Sequence, residues 1–293
     1  MTRFERSSLL LMLPSALVVA IFGLYPVLES VRLSFYRSIL TLPWLGTKRV
    51  GWENYADLWN DPVAAQSLQV TLVFLVATIP AELVVGLGLA LAMNRSFRGR
   101  GWLRAAVLVP WAIPTVVCSQ MWRFIFNDRY GLLNFLLFGA DVRSYWVPLA
   151  EPGPALAAVA VAEIWKTAPF AALILLAGLQ TIPDELYEAA AIDGATAWQK
   201  FRHITLPMLK PAFLLALLFR TIDGLRVFDL VFVMTQGGPA DATNVLSFYG
   251  YKKTFAEGSI GYGSAVAVIV FALAMLLALG YLGALRRARG GAR

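Results

Sequence analysis

The chain has 293 residues, of which 59% are hydrophobic and only 15% are charged. Soluble domains average about 45–50% apolar and about 25% charged residues, so this composition argues against a soluble enzyme and also against a disordered chain. The formal net charge is +7, and the single cysteine and single histidine, Cys118 and His203, exclude an internal disulfide and a multi-histidine metal site. An integral membrane protein is therefore the first interpretation.

Six apolar stretches are each long enough to cross a membrane as a helix, which takes about 20 residues. We therefore predict an all-α polytopic membrane protein with six transmembrane helices. The first stretch is interpreted as a membrane anchor, because it is too long for a signal peptide and no convincing small-residue cleavage site follows it. The predicted spans are 9–28, 68–93, 105–126, 155–179, 212–234 and 262–285.

The Lys and Arg residues of the loops predict the orientation, because cytoplasmic loops carry an excess of positive charge. The two chain ends and the loops after the second and fourth spans hold the larger share of these cations. Both termini are therefore expected in the cytoplasm, and the basic excess is interpreted as membrane topology, with anionic membrane lipid rather than nucleic acid as the partner.

Ionisable residues inside predicted spans are costly to bury and are candidates for function. The second span holds Glu82 near its middle, followed by Gly86 and Gly88, which suit close helix packing, so a structural role is favoured for Glu82. In the third span the weaker candidates for substrate contacts are Thr115, Cys118 and Trp122.

Polar residues on one face of the fourth span, repeated at similar depth in the fifth, form the candidate substrate site. Their i, i+3, i+4, i+7 spacing places them on one helix face, and transporter sites typically lie near the bilayer midplane. Two carboxylates and two cations suit the hydroxyls of a neutral sugar, although an ion-pair network that only holds the helices together is the alternative. The candidates are Glu163, Lys166, Thr167, Phe170, Arg220, Asp223, Gly224 and Val227.

Three other residues of these spans lie off the polar faces. Arg226 and Asp229 are three residues apart, so we predict that they form a structural ion pair nearer the outside. Trp165 is interpreted mainly as a packing residue, with an apolar platform for a sugar as the alternative.

The loop at 181–211, between the fourth and fifth spans, predicts two short helices joined at a glycine. Pro183 suits the first turn of a helix, and Gly194 ends that helix and allows a sharp turn. Thr196 and Gln199 have the spacing of a capping box that opens the second helix.

The prolines at Pro207 and Pro211 are expected to stop the second helix of the loop before the fifth span. A loop that only connects two spans does not need a rigid helical hairpin. The hairpin would therefore either bind another protein or lie on the lipid surface.

The sequence of this loop resembles the EAA loop of ABC importer permeases. Further motifs resemble the maltose-type sugar permease subfamily, and the stretches around the two polar faces look most like its trehalose-type branch. The resemblance covers nearly the whole chain, and it implies the type I ABC importer permease fold in one transmembrane domain, 1–293. The motifs are Glu188-Ala189-Ala190, Asp193-Gly194-Ala195 and Ile204-x-Leu206-Pro207 in the loop, and Asn54-Tyr55, Pro110-Trp-Ala-Ile-Pro114 and Thr235-Gln-Gly-Gly-Pro239 elsewhere.

The resemblance implies that the loop forms coupling helices that enter a cleft on a separate ATPase. Glu188 would be the polar anchor, Ala189 and Ala190 the close-packing positions, and Gly194 the turn. Asp193, Leu206 and Pro207 complete the coupling motif. The family also places the sugar on matching positions of the fourth and fifth spans, although several of these positions are charged here.

Partners follow from the same resemblance: a second homologous permease chain, two ATPase subunits that hold ATP and Mg, and an extracytoplasmic sugar-binding protein. This chain has no P-loop, so it is expected to hold no cofactor or metal and not to be an enzyme. We predict a multi-pass permease subunit of an ATP-driven importer in the cell membrane. It would import an α-linked disaccharide such as trehalose or maltose by alternating access.

Three alternatives stay open. The first is a permease for another solute, such as glycerol phosphate or a different oligosaccharide. The second is an ion-coupled secondary transporter with Glu163 or Asp223 as the coupling group, which the helical loop disfavours. The third, a polytopic membrane enzyme, lacks a credible nucleophile or metal cluster.

Overall fold

The structure is a computed structural model that describes residues 13–40, 44, 46–139 and 141–290, without the side chains of 142 and 284–290. Residues 9–12 of the first predicted span lie outside this part of the chain. The basic side chains of both chain ends, which were used to predict the membrane orientation, lie outside it as well. The described chain forms two compact units, Met1–Ala65 with Tyr249–Ala272 and Gln66–Phe248 with Leu273–Arg293.

Helices make up most of the described chain, which confirms the all-α prediction. One short antiparallel ribbon pairs β1 (Tyr36–Arg37) with β2 (Lys48–Arg49). Single turns of 3-10 helix lie at Val142–Ser144 and Pro148–Ala150, and π-helical stretches at Val19–Leu24, Phe201–Thr205 and Lys252–Ala256. The α-helices are α1 (13–18), α2 (Tyr25–Ser34), α3 (Glu53–Asn60), α4 (Pro62–Asn94), α5 (Arg100–Ala112), α6 (Thr115–Ile125), α7 (Leu132–Phe138), α8 (Pro152–Leu179), α9 (Asp184–Ile192), α10 (Ala197–Lys200), α11 (Leu206–Leu225), α12 (Asp229–Met234), α13 (Leu246–Tyr251) and α14 (Ile260–Gly290).

Five helical segments of the described residues are long and apolar enough to cross a membrane, and a bent pair can supply a sixth. That pair is α5 and α6, which meet at an angle of 91°. Pro114 causes the break, because a residue before proline avoids the helical conformation and Ile113 is extended, with ψ at 131°. The five unbroken segments are Leu13–Ser34, Pro62–Asn94, Pro152–Leu179, Ala197–Leu225 and Ile260–Gly283.

The fifth predicted span differs from the structure at both ends. The helix ends at Leu225 rather than at residue 234, and α12 begins after a non-helical break at 226–228. At its start, the expectation that Pro207 and Pro211 stop the second helix of the loop is wrong, since Pro211 also lies inside α11. The π-helical stretch leads directly into α11, where Pro207 lies in the first turn and its missing N–H costs little.

The core of the unit Gln66–Phe248 with Leu273–Arg293 forms where α4, α8 and α11 pack together through apolar side chains such as Leu83, Leu175 and Leu209. Gly86 permits the close approach of α4 to α8, because a Cβ there would lie 3.0 Å from the Cβ of Ala171. This confirms the predicted packing role of Gly86, whereas Gly88 faces open space.

In the unit Met1–Ala65 with Tyr249–Ala272, the carboxylate of Asp61 lies just before α4 and accepts several hydrogen bonds. Its Oδ2 accepts hydrogen bonds from the hydroxyls of Tyr249 at 2.6 Å and Tyr262 at 3.0 Å, and its Oδ1 accepts from the backbone N–H of Val63 at 2.8 Å. Burial of the carboxyl acts to raise its pKa, but these hydrogen bonds outweigh it, and the pKa of Asp61 lies below its ordinary value.

Candidate functional site

A cavity of about 710 Å³ lies where α8 and α11 meet the break between α5 and α6. The break contributes a run of five residues, and the two helices contribute charged groups of both signs. The lining consists of residues 111–115, Glu163, Lys166, Thr167, Arg220, Asp223 and 226–230.

The guanidinium of Arg220 connects three helices beside this cavity. Its Nε donates to Glu82 of α4 at 2.6 Å, and one terminal nitrogen donates to Glu163 of α8 at 2.8 Å. The other reaches Asp223 of α11 at 3.2 Å. Arg220, Glu82 and Glu163 are 3%, 0% and 6% exposed, so each charge depends on this pairing. Glu82, predicted to be structural, is therefore the innermost support of the cluster.

Lys166 does not complete this cluster but holds the break between α5 and α6. Its Nζ donates to the carbonyl oxygen of Ile113 at 2.6 Å. That carbonyl lies at the end of α5, where Pro114 prevents the helix from continuing. Glu163 therefore pairs with Arg220 rather than with Lys166 on its own helix.

The predicted ion pair between Arg226 and Asp229 is wrong, and so is their placement away from the polar face. Arg226 donates instead to Oδ1 of Asp223 at 3.1 Å, and both Arg226 and Asp229 line the cavity. The reason is the end of α11 at Leu225, which removes the regular i, i+3 geometry beyond that residue.

Six of the eight predicted substrate-site residues line the cavity, and two do not. Phe170 packs against Trp111, with ring centroids 5.8 Å apart and planes nearly parallel. Gly224 faces α4, where a Cβ would collide with Leu75. The hydroxyl of Thr167 donates to the carbonyl of Glu163 within α8, at 2.6 Å. The six are Glu163, Lys166, Thr167, Arg220, Asp223 and Val227.

Sequence reasoning missed the contribution of the bent span, from Trp111 to Ile113, and of Phe228 and Leu230. A signal for the first group existed in the two prolines of Pro110-Trp-Ala-Ile-Pro114, because an X-Pro step inside an apolar helix predicts a break with exposed backbone. Trp165 packs edge-on against Trp122 at 5.8 Å, which confirms its packing role.

The loop at 181–211 forms a hairpin whose two arms are α9 and the helical segment that begins with α10. Gly194 has a φ of +78° at the turn, and the N–H of Ala195 donates to the carbonyl of Ala190 at 2.9 Å, which closes α9. Both bonds of the predicted capping box between Thr196 and Gln199 are present.

The predicted coupling residues lie on the surface of this hairpin. Three large apolar side chains beside them, Leu186, Ile192 and Trp198, are 42%, 87% and 66% exposed. A small cavity of about 330 Å³ is lined by Ala190, Asp193 and Gly194, among others. Glu188, Ala189, Asp193, Gly194, Leu206 and Pro207 are exposed, and Ala190 is half-buried.

Comparison with known proteins gives a consistent result over almost the whole chain. The family described as the binding-protein-dependent transport system inner membrane component matches residues 83–289. The trehalose/maltose transport system permease protein MalF of Thermococcus litoralis is 41% identical over 274 residues, 93% of this chain and 91% of that protein. The sulfoquinovosyl glycerol transport system permease protein SmoG of Agrobacterium fabrum is 39% identical over 279 residues, 95% of this chain and 90% of that protein.

The fold has a close counterpart among solved structures. A chain of a bacterial alginate ABC transporter, crystallised in complex with an alginate pentasaccharide-bound periplasmic protein, matches with a TM-score of 0.81 and 22% identity. The match covers 97% of this chain and 96% of that one. Fold and sequence together define a membrane permease component of an ABC transport system.

The chain belongs to the binding-protein-dependent transport system inner membrane component family. The resemblance to the maltose and trehalose-type permeases is thereby confirmed, as is the assignment to the membrane. Members of this family are transport components rather than enzymes.

Proposed function

We propose that this chain imports an α-linked disaccharide such as trehalose or maltose, and that the sugar passes through the cavity between α8, α11 and the bent span. The observation that carries the proposal is a charge-balanced polar cavity in a chain 41% identical to a trehalose/maltose permease. The volume of about 710 Å³ falls in the range of roughly 300–1,000 Å³ that ligand pockets occupy.

The charges of the cavity support a neutral solute. Three carboxylates and three cations line it, so the site offers both acceptors and donors to sugar hydroxyls without a net charge. Trp111 adds an apolar surface against which a sugar ring can pack. The lining charges are Glu163, Asp223 and Asp229, and Lys166, Arg220 and Arg226.

A permease for another solute, such as glycerol phosphate or a different oligosaccharide, is the second candidate. It is favoured by the relative at 39% identity whose name gives sulfoquinovosyl glycerol as its solute. An anionic solute would require a cationic excess in the cavity, which the present lining does not provide. Family membership leaves no support for an ion-coupled secondary transporter.

We further propose that the hairpin at 181–211 docks into a separate ATPase, which holds the ATP and Mg. Exposed Leu186, Ile192 and Trp198 supply the apolar contacts expected of a docking surface. The remaining partners are a second homologous permease chain, a second ATPase subunit and an extracytoplasmic sugar-binding protein, and the binding protein accords with the family's description. Both termini would then lie in the cytoplasm. The whole chain would form a single transmembrane domain.

Coupling would use the continuous helical segment Ala197–Leu225. It begins in the hairpin and reaches Arg220 at the cavity, and at about 1.5 Å per residue it spans more than 30 Å. A displacement of the hairpin by the ATPase would therefore move one wall of the cavity directly. Alternating access follows if the cavity opens to one side of the membrane in each position of this segment.

The test is ATP-dependent uptake of radiolabelled trehalose, maltose and glycerol phosphate into proteoliposomes that hold the whole complex and its binding protein. We expect trehalose or maltose to accumulate. Asp223→Ala should abolish uptake but keep assembly, because Asp223 is half-exposed and Arg220 keeps its two buried partners, Glu82 and Glu163. Glu188→Ala should lose ATPase stimulation. Glu257→Ala, which removes an exposed ion pair with Lys253, is the matched control.

Normal uptake by Asp223→Ala would make the polar cavity a scaffold rather than the solute path. Accumulation of glycerol phosphate without either sugar would leave the family assignment intact and contradict the disaccharide proposal.

A further inference from the structure

Two cavities adjoin the carboxyl-terminal end of α4, away from the proposed solute path. Their volumes are about 450 Å³ and 550 Å³. Leu91 and Arg95 line both, so the two cavities meet at the last turn of α4. One extends toward the hairpin at 181–211, and the other runs back along the apolar part of α4.

The cavity toward the hairpin is suited to an anion. Two cations, Arg95 and Lys200, line it, and no carboxylate does. Neither cation forms an ion pair among the described side chains. The hydroxyls of Tyr187 and Thr205 also line this cavity, 2.9 Å apart, and either can donate to a ligand oxygen.

The end of a helix normally repels anions, because its free carbonyls carry partial negative charge. Here two guanidinium groups offset that effect. Arg100 Nε donates to the carbonyl oxygen of Met93 at 2.9 Å, and Arg104 approaches the same oxygen at 3.4 Å. These two cations therefore offset the negative end of α4 beside Arg95.

The second cavity is apolar and begins inside the membrane-spanning part of α4. Leu91, Phe97 and Leu103 line it, and Gly88 leaves a gap in which an added Cβ would meet no atom within 4 Å. Gly88 lies six residues before Asn94, so the cavity extends from the apolar span to its basic end. An apolar groove that leads to a basic pocket matches an acyl chain joined to a phosphate.

We propose that this pair of cavities binds an anionic phospholipid, whose phosphate contacts Arg95 and Lys200 and whose acyl chain lies along Gly88 and Leu91. Basic pockets between transmembrane helices are known sites for anionic headgroups. Because Lys200 precedes the π-helical stretch Phe201–Thr205, the lipid connects the end of α4 to the helix that carries the hairpin. The composition of the membrane then acts on the hairpin directly.

The test is native mass spectrometry of the purified whole complex, titrated with phosphatidylglycerol, with phosphatidylcholine and with inorganic phosphate. We expect phosphatidylglycerol to bind in preference to phosphatidylcholine. Arg95→Gln should weaken that binding about tenfold, as expected for the loss of one charged hydrogen bond. Gly88→Leu, which fills the apolar cavity, should weaken it similarly.

Matched controls separate the site from general basicity and from helix effects. Arg98→Gln removes a neighbouring exposed cation that does not line either cavity, and Gly280→Leu adds the same side chain at another helical glycine with open space around it. Both should bind lipid as the wild type does. Equal binding by Arg95→Gln and Arg98→Gln would overturn the proposal, and so would displacement of the lipid by inorganic phosphate, which would identify a free-anion site.

Discussion

At the scale of single residues, the carboxylates around Arg220 have two different roles: one stabilises the buried arginine and the other faces the cavity. Glu82 is fully buried and does not line the cavity, whereas Asp223 is half-exposed and does. Both pair with the same guanidinium. Their substitution should therefore affect different properties, with stability depending on Glu82 and transport on Asp223.

Replacement of Glu82 by alanine leaves Arg220 buried with one carboxylate fewer. Breaking a buried pair by removing one partner costs about 3–5 kcal/mol, so we expect a large loss of thermal stability in the purified complex. Asp229→Ala, which removes a cavity carboxylate outside the Arg220 cluster, should change the unfolding temperature little. Equal unfolding temperatures for the two variants would contradict the supporting role of Glu82.

Asp61 predicts a pH dependence of stability in its own unit. Its pKa is lower in the folded state than in the unfolded state, so its contribution is complete above the unfolded value of about 3.9 and is lost as pH falls through the folded value. Asp61→Ala should therefore destabilise the protein by about 1–3 kcal/mol at pH 7, through the lost cap and tyrosine bonds.

The measurement for Asp61 is thermal unfolding of wild type and variant from pH 7 down to pH 3. The difference between them should shrink only at the acid end. Asp57→Ala, an exposed carboxylate on α3, is the control and should show little difference at any pH. A gap between wild type and Asp61→Ala that is unchanged down to pH 3 would rule out the carboxylate as its source.

At the scale of helices, sequence periodicity predicted most of the polar face within each continuous helix, although Phe170 and Gly224 do not line the cavity. Glu163, Lys166 and Thr167 on α8 line the same cavity as Arg220 and Asp223 on α11, as the spacing predicted. Periodicity did not predict which residues face the cavity at the helix breaks. Beyond residues 113 and 225 the backbone is no longer helical, so the helical spacing does not apply. The bonds to Glu82 could not be predicted either, since spacing within one helix says nothing about which other helix it packs on.

Proline gave opposite results in two places, and the neighbouring structure explains the difference. Pro114 breaks the predicted span 105–126, with an extended Ile113 before it. Pro207 does not stop its helix, because it lies in the first turn of α11 and follows a π-helical stretch. Whether a proline ends a helix therefore depends on its position, since a proline in the first turn of a helical segment interrupts no backbone hydrogen bond.

Rigidity of the segment Ala197–Leu225 should matter for coupling. Met208 and Leu215 are 46% and 38% exposed, so glycine at both positions adds flexibility and costs about 1 kcal/mol each without opening the core. We expect the double glycine variant to hydrolyse ATP but to move several-fold less sugar per ATP. The double alanine variant at the same positions is the control. If both variants transport equally, this segment does not transmit the movement.

At the scale of the whole molecule, apolar side chains that are similarly exposed can face either lipid or water. Phe22 in the segment Leu13–Ser34 is 76% exposed, and Trp59 on α3 is 89% exposed. Only the first lies in a candidate membrane span, and none of the most apolar part of that span is buried within the chain. Exposure alone therefore does not reveal the solvent.

A charge at these two positions should distinguish the environments. Phe22→Lys should reduce the amount of membrane-inserted protein, because a lysine near the centre of a span costs about 2.5–3.5 kcal/mol on insertion scales. Trp59→Lys should leave that amount nearly unchanged. Quantification of each variant in alkali-washed membranes gives the comparison. A similar yield for both would indicate that the first segment does not face lipid.

The cluster around Arg220 also has a consequence for the order of synthesis. Glu82 and Glu163 leave the ribosome 138 and 57 residues before the arginine that neutralises them. During that interval α4 and α8 enter the membrane with carboxyl groups that have no guanidinium to contact. A chain that stops before α11 therefore keeps two ionisable acids without the arginine that neutralises them in the full chain.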